Sequence, residues 1–300
     1  MTSFRSAKSQ AKHLTIQRVK HYVSRHQLKD SRQEKIITSI GTEKKYFGNI
    51  KRFISWCIPK KFPTSVGKVT AEIAEKFLNE NSANWTQKTL DGYRQAIEMV
   101  FKIEVNFVTS KKNILLTPRA YKFSQIFYLA NLADEDLAFS IQLAAATGLR
   151  AVELDTIACV TDYEEDNRDW LPERFIGKKN STIFVVIGKG GLRRKICVPN
   201  ELTEKLELRR LAQPIRKTQR EIHYRKFYSI VGGHSFSQRF SRLSIKEFGW
   251  STGAHGLRHH YAQERISELQ RLGFSWDDSL KIVSQELGHF STQNTHAYLR

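Results

Sequence analysis

Apolar positions along the chain recur mostly at helical spacing. From His13 to about Glu104, Leu14, Ile16, Val19, Tyr22 and Val23 fall on one 3.6-residue stripe, and Tyr46, Ile50, Phe53, Ile54 and Cys57 on another. Pro59 and Pro63 interrupt the pattern. Thr70 opens a short helix carrying Ile73, Phe77 and Leu78. Thr86 is placed to cap the next, with Leu90, Tyr93, Ile97 and Val100 on one face. This predicts a four-helix domain over 13–107, preceded by a flexible basic arm over 1–12. A linker over 108–121 has no clean period and holds Pro118. A second domain fills 122–300, opening with helices at Phe123–Ala130 and Asp134–Ala146. Its one clear β signal is Thr182–Ile187 followed by the alternating Arg194–Val198, with Gly188, Lys189, Gly190 and Gly191 between them as a hairpin turn. After Pro199 the pattern reads as helix again. The expected class is mainly α with a small antiparallel β-sheet (α+β).

Composition removes several alternatives. With 40% apolar residues in 300, the chain can build real cores, which excludes global disorder. No apolar run approaches the roughly 18 residues of a membrane span, and the N-terminus has no signal-peptide pattern. Three widely spaced cysteines, Cys57, Cys159 and Cys197, argue against a disulfide framework or a zinc ribbon and fit a reducing cytoplasm.

Charge narrows the field further. The formal net charge is +19, distributed as +14 over residues 1–120, −7 over 121–170 and +12 over 171–300. Two basic lobes flanking an acidic stretch imply a polyanionic partner, nucleic acid before membrane. The acidic run at 162–169 is expected as an exposed loop turned away from a phosphate backbone.

Four clusters carry candidate chemistry. In residues 146–154 (ATGLRAVEL), Gly148 breaks a helix, and Arg150 and Glu153 lie three apart, so they share a helix face. That pair fits either a surface ion pair or an arginine held ready for a planar anion. Lys189 sits at the glycine-flanked hairpin tip, as a solvated turn lysine or as a residue brought close to another backbone. His255, Arg258, His259 and His260 follow a Ser-Thr-Gly helix start, which puts His255 where backbone N–H groups favour phosphate. The four-residue spacing of His255 and His259 suits a metal, but no Cys or acidic partner lies nearby to complete a site. Finally, Gly288 ends a helix before His289, and the reversal there lets His289 and Tyr298 face a common site. Tyr298 alone could equally be a C-terminal aromatic plug.

Taken together, Thr-Gly-x-Arg-x-x-Glu-Leu, Gly-Lys-Gly, His-x-Leu-Arg-His-x-Tyr-Ala, and Leu-Gly-His with a tyrosine nine further on resemble the tyrosine recombinase (phage integrase) family over about residues 122–300. His260 departs from it, standing where relatives more often carry Thr or Ser. The resemblance implies a helical core-DNA-binding domain joined to a catalytic domain as a C-shaped clamp on duplex DNA. It also implies site-specific strand breakage and rejoining through a 3′-phosphotyrosine, without metal, ATP or other cofactor.

By that resemblance Tyr298 is the nucleophile, and Arg150 and Arg258 clamp the phosphate. Lys189 is the general acid for the 5′-oxygen, and His255 the acid/base beside Tyr298. His289 is a second phosphate donor, and Glu153 buttresses the site. The implied partners are core recombination sites in double-stranded DNA, three further protomers in a tetramer passing through a Holliday junction, and an accessory or directionality factor. The implied setting is a prokaryotic or phage-derived protein at the nucleoid.

Lys51, Arg52, Lys60 and Lys61 are candidate DNA contacts in the first domain. Arg216, Lys217 and Arg220 are candidates in the basic stretch 209–230 of the second, for DNA or for another protomer. Competing readings are a type IB topoisomerase-like relaxase and a non-catalytic DNA-binding accessory protein of the same fold.

Overall fold

Ser39 and Thr86 each turn a side-chain oxygen onto the backbone N–H three residues on, at 3.2 and 3.3 Å, and each starts a helix. These helices belong to the first of two units in a computed structural model, Met1–Leu115, the second being Leu116–Arg300. The structure describes residues 6–21, 36–113, 115–219 and 222–299.

The described part of the first unit holds four helices: α1 (Ala7–Ile16), α2 (Ile40–Cys57), α3 (Ala71–Asn81) and α4 (Gln87–Phe101). The predicted stripes on α2, α3 and α4 bury Ile50, Phe53, Ile54, Cys57, Phe77, Leu78, Leu90, Ile97 and Val100 in one core. Phe77 meets Phe53, Trp56, Trp85 and Tyr93 edge-on, with ring centroids 5.2 to 5.6 Å apart. Tyr22 and Val23 lie outside the described residues.

The expected arm over 1–12 is corrected from Ala7 onward. Ser6 accepts from the Ser9 N–H and starts α1, whose Ala11 is buried. The expected linker over 108–121 is tied down at both ends. Val105 and Val108 bury in the first core, and Ser110 donates to the Trp85 carbonyl at 2.6 Å. Tyr121 is fully buried in the second unit, its hydroxyl bonded to Ser244 and Ser251 and accepting from the Thr252 N–H.

The second unit begins with α5 (Phe123–Leu132), α6 (Glu135–Thr147) and the short α7 (Ala151–Leu154). Strands β1 (Ala158–Cys159), β2 (Ser181–Ile187) and β3 (Arg193–Pro199) form an antiparallel sheet in that order, with Phe184 opposite Ile196 and Ile187 opposite Arg193. Then come α8 (Asn200–Glu207), β4 (Arg210–Gln219), β5 (Ile222–Tyr228), α9 (Gly233–Phe248), α10 (His255–Arg271), α11 (Trp276–Glu286) and α12 (Gln293–His296).

The helix expected after Pro199 forms as α8, but strands β4 and β5, which pair with each other alone, correct that reading from Arg210 onward. Pro214 lacks the N–H a helix needs, and the ladder shifts register between Arg210 and Ile215, where it sits. The acidic run is also corrected in part. Glu165 is held by both terminal nitrogens of Arg174 at 2.8 and 2.7 Å, and Asp166 pairs with Arg193, so only some of the run is free surface. Among the described residues no helix is long and apolar enough to cross a membrane.

One buried charge ties the last helices together. Glu286, 1% exposed, accepts from Arg265 Nε and Nη2, from the Tyr261 hydroxyl at 2.8 Å and from the Phe175 N–H at 2.9 Å. Removing one partner of such a pair strands the other in a dry interior. Glu286→Ala is expected to lose about 3–5 kcal/mol of stability, measured by urea unfolding beside the wild type. A loss under about 1 kcal/mol would mean that Arg265 finds water instead.

Candidate active site

The site is assembled around one carboxylate. At the end of α6, Gly148 takes a left-handed conformation (φ 65°) and donates its N–H to the Ala144 carbonyl. A side chain there would strike Tyr261 and Leu287, at 2.5 and 2.8 Å from its Cβ. The reversal makes Arg150 the N-cap of α7 and Glu153 its third residue. Glu153 reaches back to accept from the Arg150 N–H at 2.8 Å and from Arg150 Nη1 at 2.6 Å. The pair therefore spans a helix start rather than sharing a helix face.

Glu153 is 1% exposed and serves two more arginines. Arg194 Nη2 donates to its Oε2 at 2.8 Å, and Arg258 Nη1 lies 3.6 Å from the same oxygen. Burial alone would raise the carboxyl pKa. The three guanidinium groups overcome it and hold the value at about 2. Three positive charges around one negative leave the cluster with net positive charge.

Arg258, on α10, is fully buried and spread over several partners. Its Nη1 donates to the Gly148 carbonyl at 2.6 Å, Nη2 to the Leu287 carbonyl, and Nε to the Tyr298 hydroxyl at 3.3 Å. Burial lowers its pKa to about 10, so it remains charged at neutral pH. Arg150 Nη2 and Arg258 Nη2 approach His289 Nε2 at 3.0 and 3.4 Å.

Burial, then Arg258 and Arg150, depress His289 to about 3. Its ring is therefore neutral at neutral pH. With Nε2 facing arginine donors, the proton sits on Nδ1 and is donated to the Thr295 hydroxyl at 3.0 Å. That hydroxyl lies 2.8 Å from Ser284 Oγ, which donates to the Leu280 carbonyl.

Tyr298 lies just past α12, 7% exposed, with its ring centroid 5.2 Å from His255, 4.9 Å from His259 and 5.6 Å from His289. His259 Nδ1 and Gln263 Nε2 hold its carbonyl. His255 opens α10, and its pKa falls to about 4 through loss of hydration first and the nearby Arg258 second.

Lys189 stands apart. It is exposed in a tight turn (Lys189–Gly191) in which Gly190 and Gly191 take left-handed φ values, and no hydrogen bond or ion pair joins it to the cluster among the described residues. The base of its hairpin is fixed to the site. Ile187 exchanges two hydrogen bonds with Thr156 Oγ1, and a Cβ on Gly188 would lie 3.1 Å from Glu153 Oε1.

The structure thus brings Arg150, Glu153, His255, Arg258, His289 and Tyr298 together and leaves Lys189 on a nearby exposed turn. Sequence reasoning missed Arg194, Thr295, Ser284 and Gln263. Arg194 left a trace, since it shares a strand face with Ile196 and Val198, a charged residue in an inward position. Among the described residues no group of three or more His, Cys, Asp or Glu is gathered to hold a metal. In the first unit, Lys51, Arg52 and Lys61 are exposed. Arg52 lies over Trp85, and Lys60 is paired with Glu80 at 2.9 Å.

Two outcomes follow. Arg194→Met leaves Glu153 short of a buried partner and the Glu286 carbonyl without its Arg194 donor. It should lose about 3–5 kcal/mol in urea unfolding, and a neutral result would show that Arg150 and Arg258 suffice. For pH, His255 and His289 have folded values of about 4 and 3 against the ordinary 6.5. The unfolded chain binds protons that the fold refuses, so stability falls as pH drops from about 6.5 through those values. Glu153 adds a second loss from its ordinary 4.5 down to about 2. Unfolding midpoints at pH 7 and pH 5 should show the first drop, and His289→Asn should make it shallower. An unchanged slope would contradict the assigned neutral ring.

Comparison with known proteins places the fold. No family model matches the sequence, and no curated protein matches it either. Solved structures do. XerH site-specific recombinase, in a post-cleavage complex with palindromic difH substrate, is 14% identical with a TM-score of 0.56, covering 98% of this chain and 90% of its own. A lambda integrase dimer bound to a COC′ core site is 18% identical with a TM-score of 0.54, covering 96% and 95%. A lambda integrase tetramer bound to a Holliday junction is 17% identical with a TM-score of 0.52, covering 99% and 78%. The chain therefore has the fold of the tyrosine recombinases, the family its motifs resemble.

Proposed function

We propose that this protein is a site-specific DNA recombinase that cleaves and rejoins duplex DNA through Tyr298. The observation that carries the reading is Arg258, whose Nε meets the Tyr298 hydroxyl while its Nη2 and that of Arg150 converge on His289. A nucleophile candidate and two phosphate-binding cations thus share one net-positive pocket.

In the proposed step, the Tyr298 oxygen forms a bond to the scissile phosphorus and the bond from phosphorus to the 5′-oxygen breaks. Arg150 and Arg258 turn guanidinium donors onto the non-bridging oxygens, where negative charge grows in the transition state. His255, neutral at pH 7, can take the phenol proton. Lys189, on its turn, delivers a proton to the leaving 5′-oxygen. His289 must shift its proton from Nδ1 to Nε2 to donate to the phosphate, and the Thr295 hydroxyl can accept or donate on the far side. The 3′-phosphotyrosine conserves the phosphodiester energy, so religation needs no nucleotide hydrolysis. Recombination then proceeds by paired strand exchanges through a Holliday junction in a tetramer, at core sites in a prokaryotic or phage genome, with an accessory factor setting direction. Lys51, Arg52 and Lys61 add phosphate contacts from the first unit.

The test is covalent capture. Nicked suicide duplexes made from DNA flanking the gene are mixed with wild type and with Tyr298→Phe, in EDTA, and run on denaturing gels. The wild type should give a protein–DNA adduct and the variant none. Lys189→Ala should slow cleavage by about 10²–10⁴-fold. Tight binding with no adduct across a random-site library would sink the reading in favour of a non-catalytic DNA binder.

A further inference from the structure

The β4–β5 hairpin carries charge that the site does not use. Its two strands contain five Lys or Arg residues, Arg210, Arg216, Lys217, Arg225 and Lys226, and no Asp or Glu. At the base these cations are answered. Arg210 donates to Asp162 at 3.0 Å and to the Tyr228 hydroxyl. Lys226, 9% exposed, donates to Asp155 at 2.9 Å and to the Ile230 carbonyl. Arg216, Lys217 and Arg225 are exposed, and among the described residues none of the three has an acidic partner.

Register sharpens the picture. Arg216 stands directly opposite Arg225, and Lys217 opposite Tyr224. Alternation puts Arg216, Thr218, His223 and Arg225 on one face, where Thr218 Oγ1 and His223 Nδ1 meet across the strands at 2.9 Å. Lys217 is on the other face. Two like charges directly opposed weaken a ladder, and a two-stranded ribbon is marginal by itself. A polyanion laid along that face removes the repulsion. A two-stranded ribbon is also a shape that the major groove admits, and a planar guanidinium matches a phosphate.

We infer that the Arg216/Arg225 face of this ribbon is a second, non-catalytic binding site for the phosphate backbone of duplex DNA. The inference rests on the reading of the chain as a protein that acts on DNA. It replaces the set Arg216, Lys217 and Arg220 with Arg216 and Arg225; Arg220 lies outside the described residues. The mount gives the site a purpose. Lys226 ties the ribbon to Asp155, the C-cap of α7, whose N-cap is Arg150. A duplex held by the ribbon is thereby oriented against the arginine that meets the scissile phosphate.

The experiment is fluorescence anisotropy of the full-length protein on a labelled duplex across a salt series. Wild type, the double variant Arg216→Ala/Arg225→Ala and the control Lys205→Ala are compared, with circular dichroism to check folding. The double variant should bind about tenfold or more weakly, and its slope of log affinity against log salt should shrink by about 2. Lys205→Ala should match the wild type. Unchanged affinity and slope in a folded double variant would overturn the proposal. So would unchanged DNA binding with lost self-association in sedimentation, which would assign the face to a protein partner. Wild-type adduct formation, scored separately, decides the recombinase reading, so either can fail without the other.

Discussion

Everything in the candidate site depends on the Glu153 carboxylate. It is buried, it stays ionised because three arginines surround it, and those arginines come from three different parts of the chain. Arg150 caps the helix that carries Glu153, Arg194 comes from the strand after the Lys189 turn, and Arg258 comes from the first turn of α10. A single anion in a dry interior cannot balance three cations. The excess charge is directed at the Tyr298 hydroxyl and His289.

The backbone makes this possible at two glycines. Gly148 lets Tyr261 and Leu287 approach so closely that its carbonyl can receive Arg258. Gly288 turns the chain over the Arg194 side chain, which would lie 2.8 Å from a Cβ. Both take left-handed φ values, 65° and 72°. One glycine precedes Arg150 and the other precedes His289, so the close approaches set the two residues that meet at 3.0 Å. Below them, Glu286 binds α10 to α11 through Arg265 and Tyr261. Arg258 and Arg265 lie two turns apart on one helix, each held by its own buried acid or carbonyl set.

Much of the fold was legible in the chain. The helical stripes of α2, α3 and α4 became the first core with the residues named from periodicity, and the β2–β3 hairpin formed about its glycine turn. Errors fell where local pattern and tertiary demand diverge. The β4–β5 ribbon escapes a reading from pattern because its outer apolar residues, Ile215 and Ile222, are exposed and, of its apolar residues, only Phe227 and Tyr228 at its base are buried, so no buried face marks a strand period. Helix α1 was read as an arm because its short polar sequence buries little more than Ala11 and Thr15.

By itself the sequence determined the chemistry available. Residue type fixes which groups can be nucleophile, cation or proton carrier, and local spacing fixes which helices begin or end beside them. It determined two basic lobes and the order of Arg150, Lys189, His255, Arg258, His289 and Tyr298. Only the tertiary structure decided which cations are satisfied and which are free. Arg194 and Arg216 are alike as letters, yet one is sealed against Glu153 and the other faces solvent opposite a second arginine. The difference is set by long-range burial and strand register, because the free energy of a charge depends on its dielectric surroundings and partners, not on its neighbours in sequence.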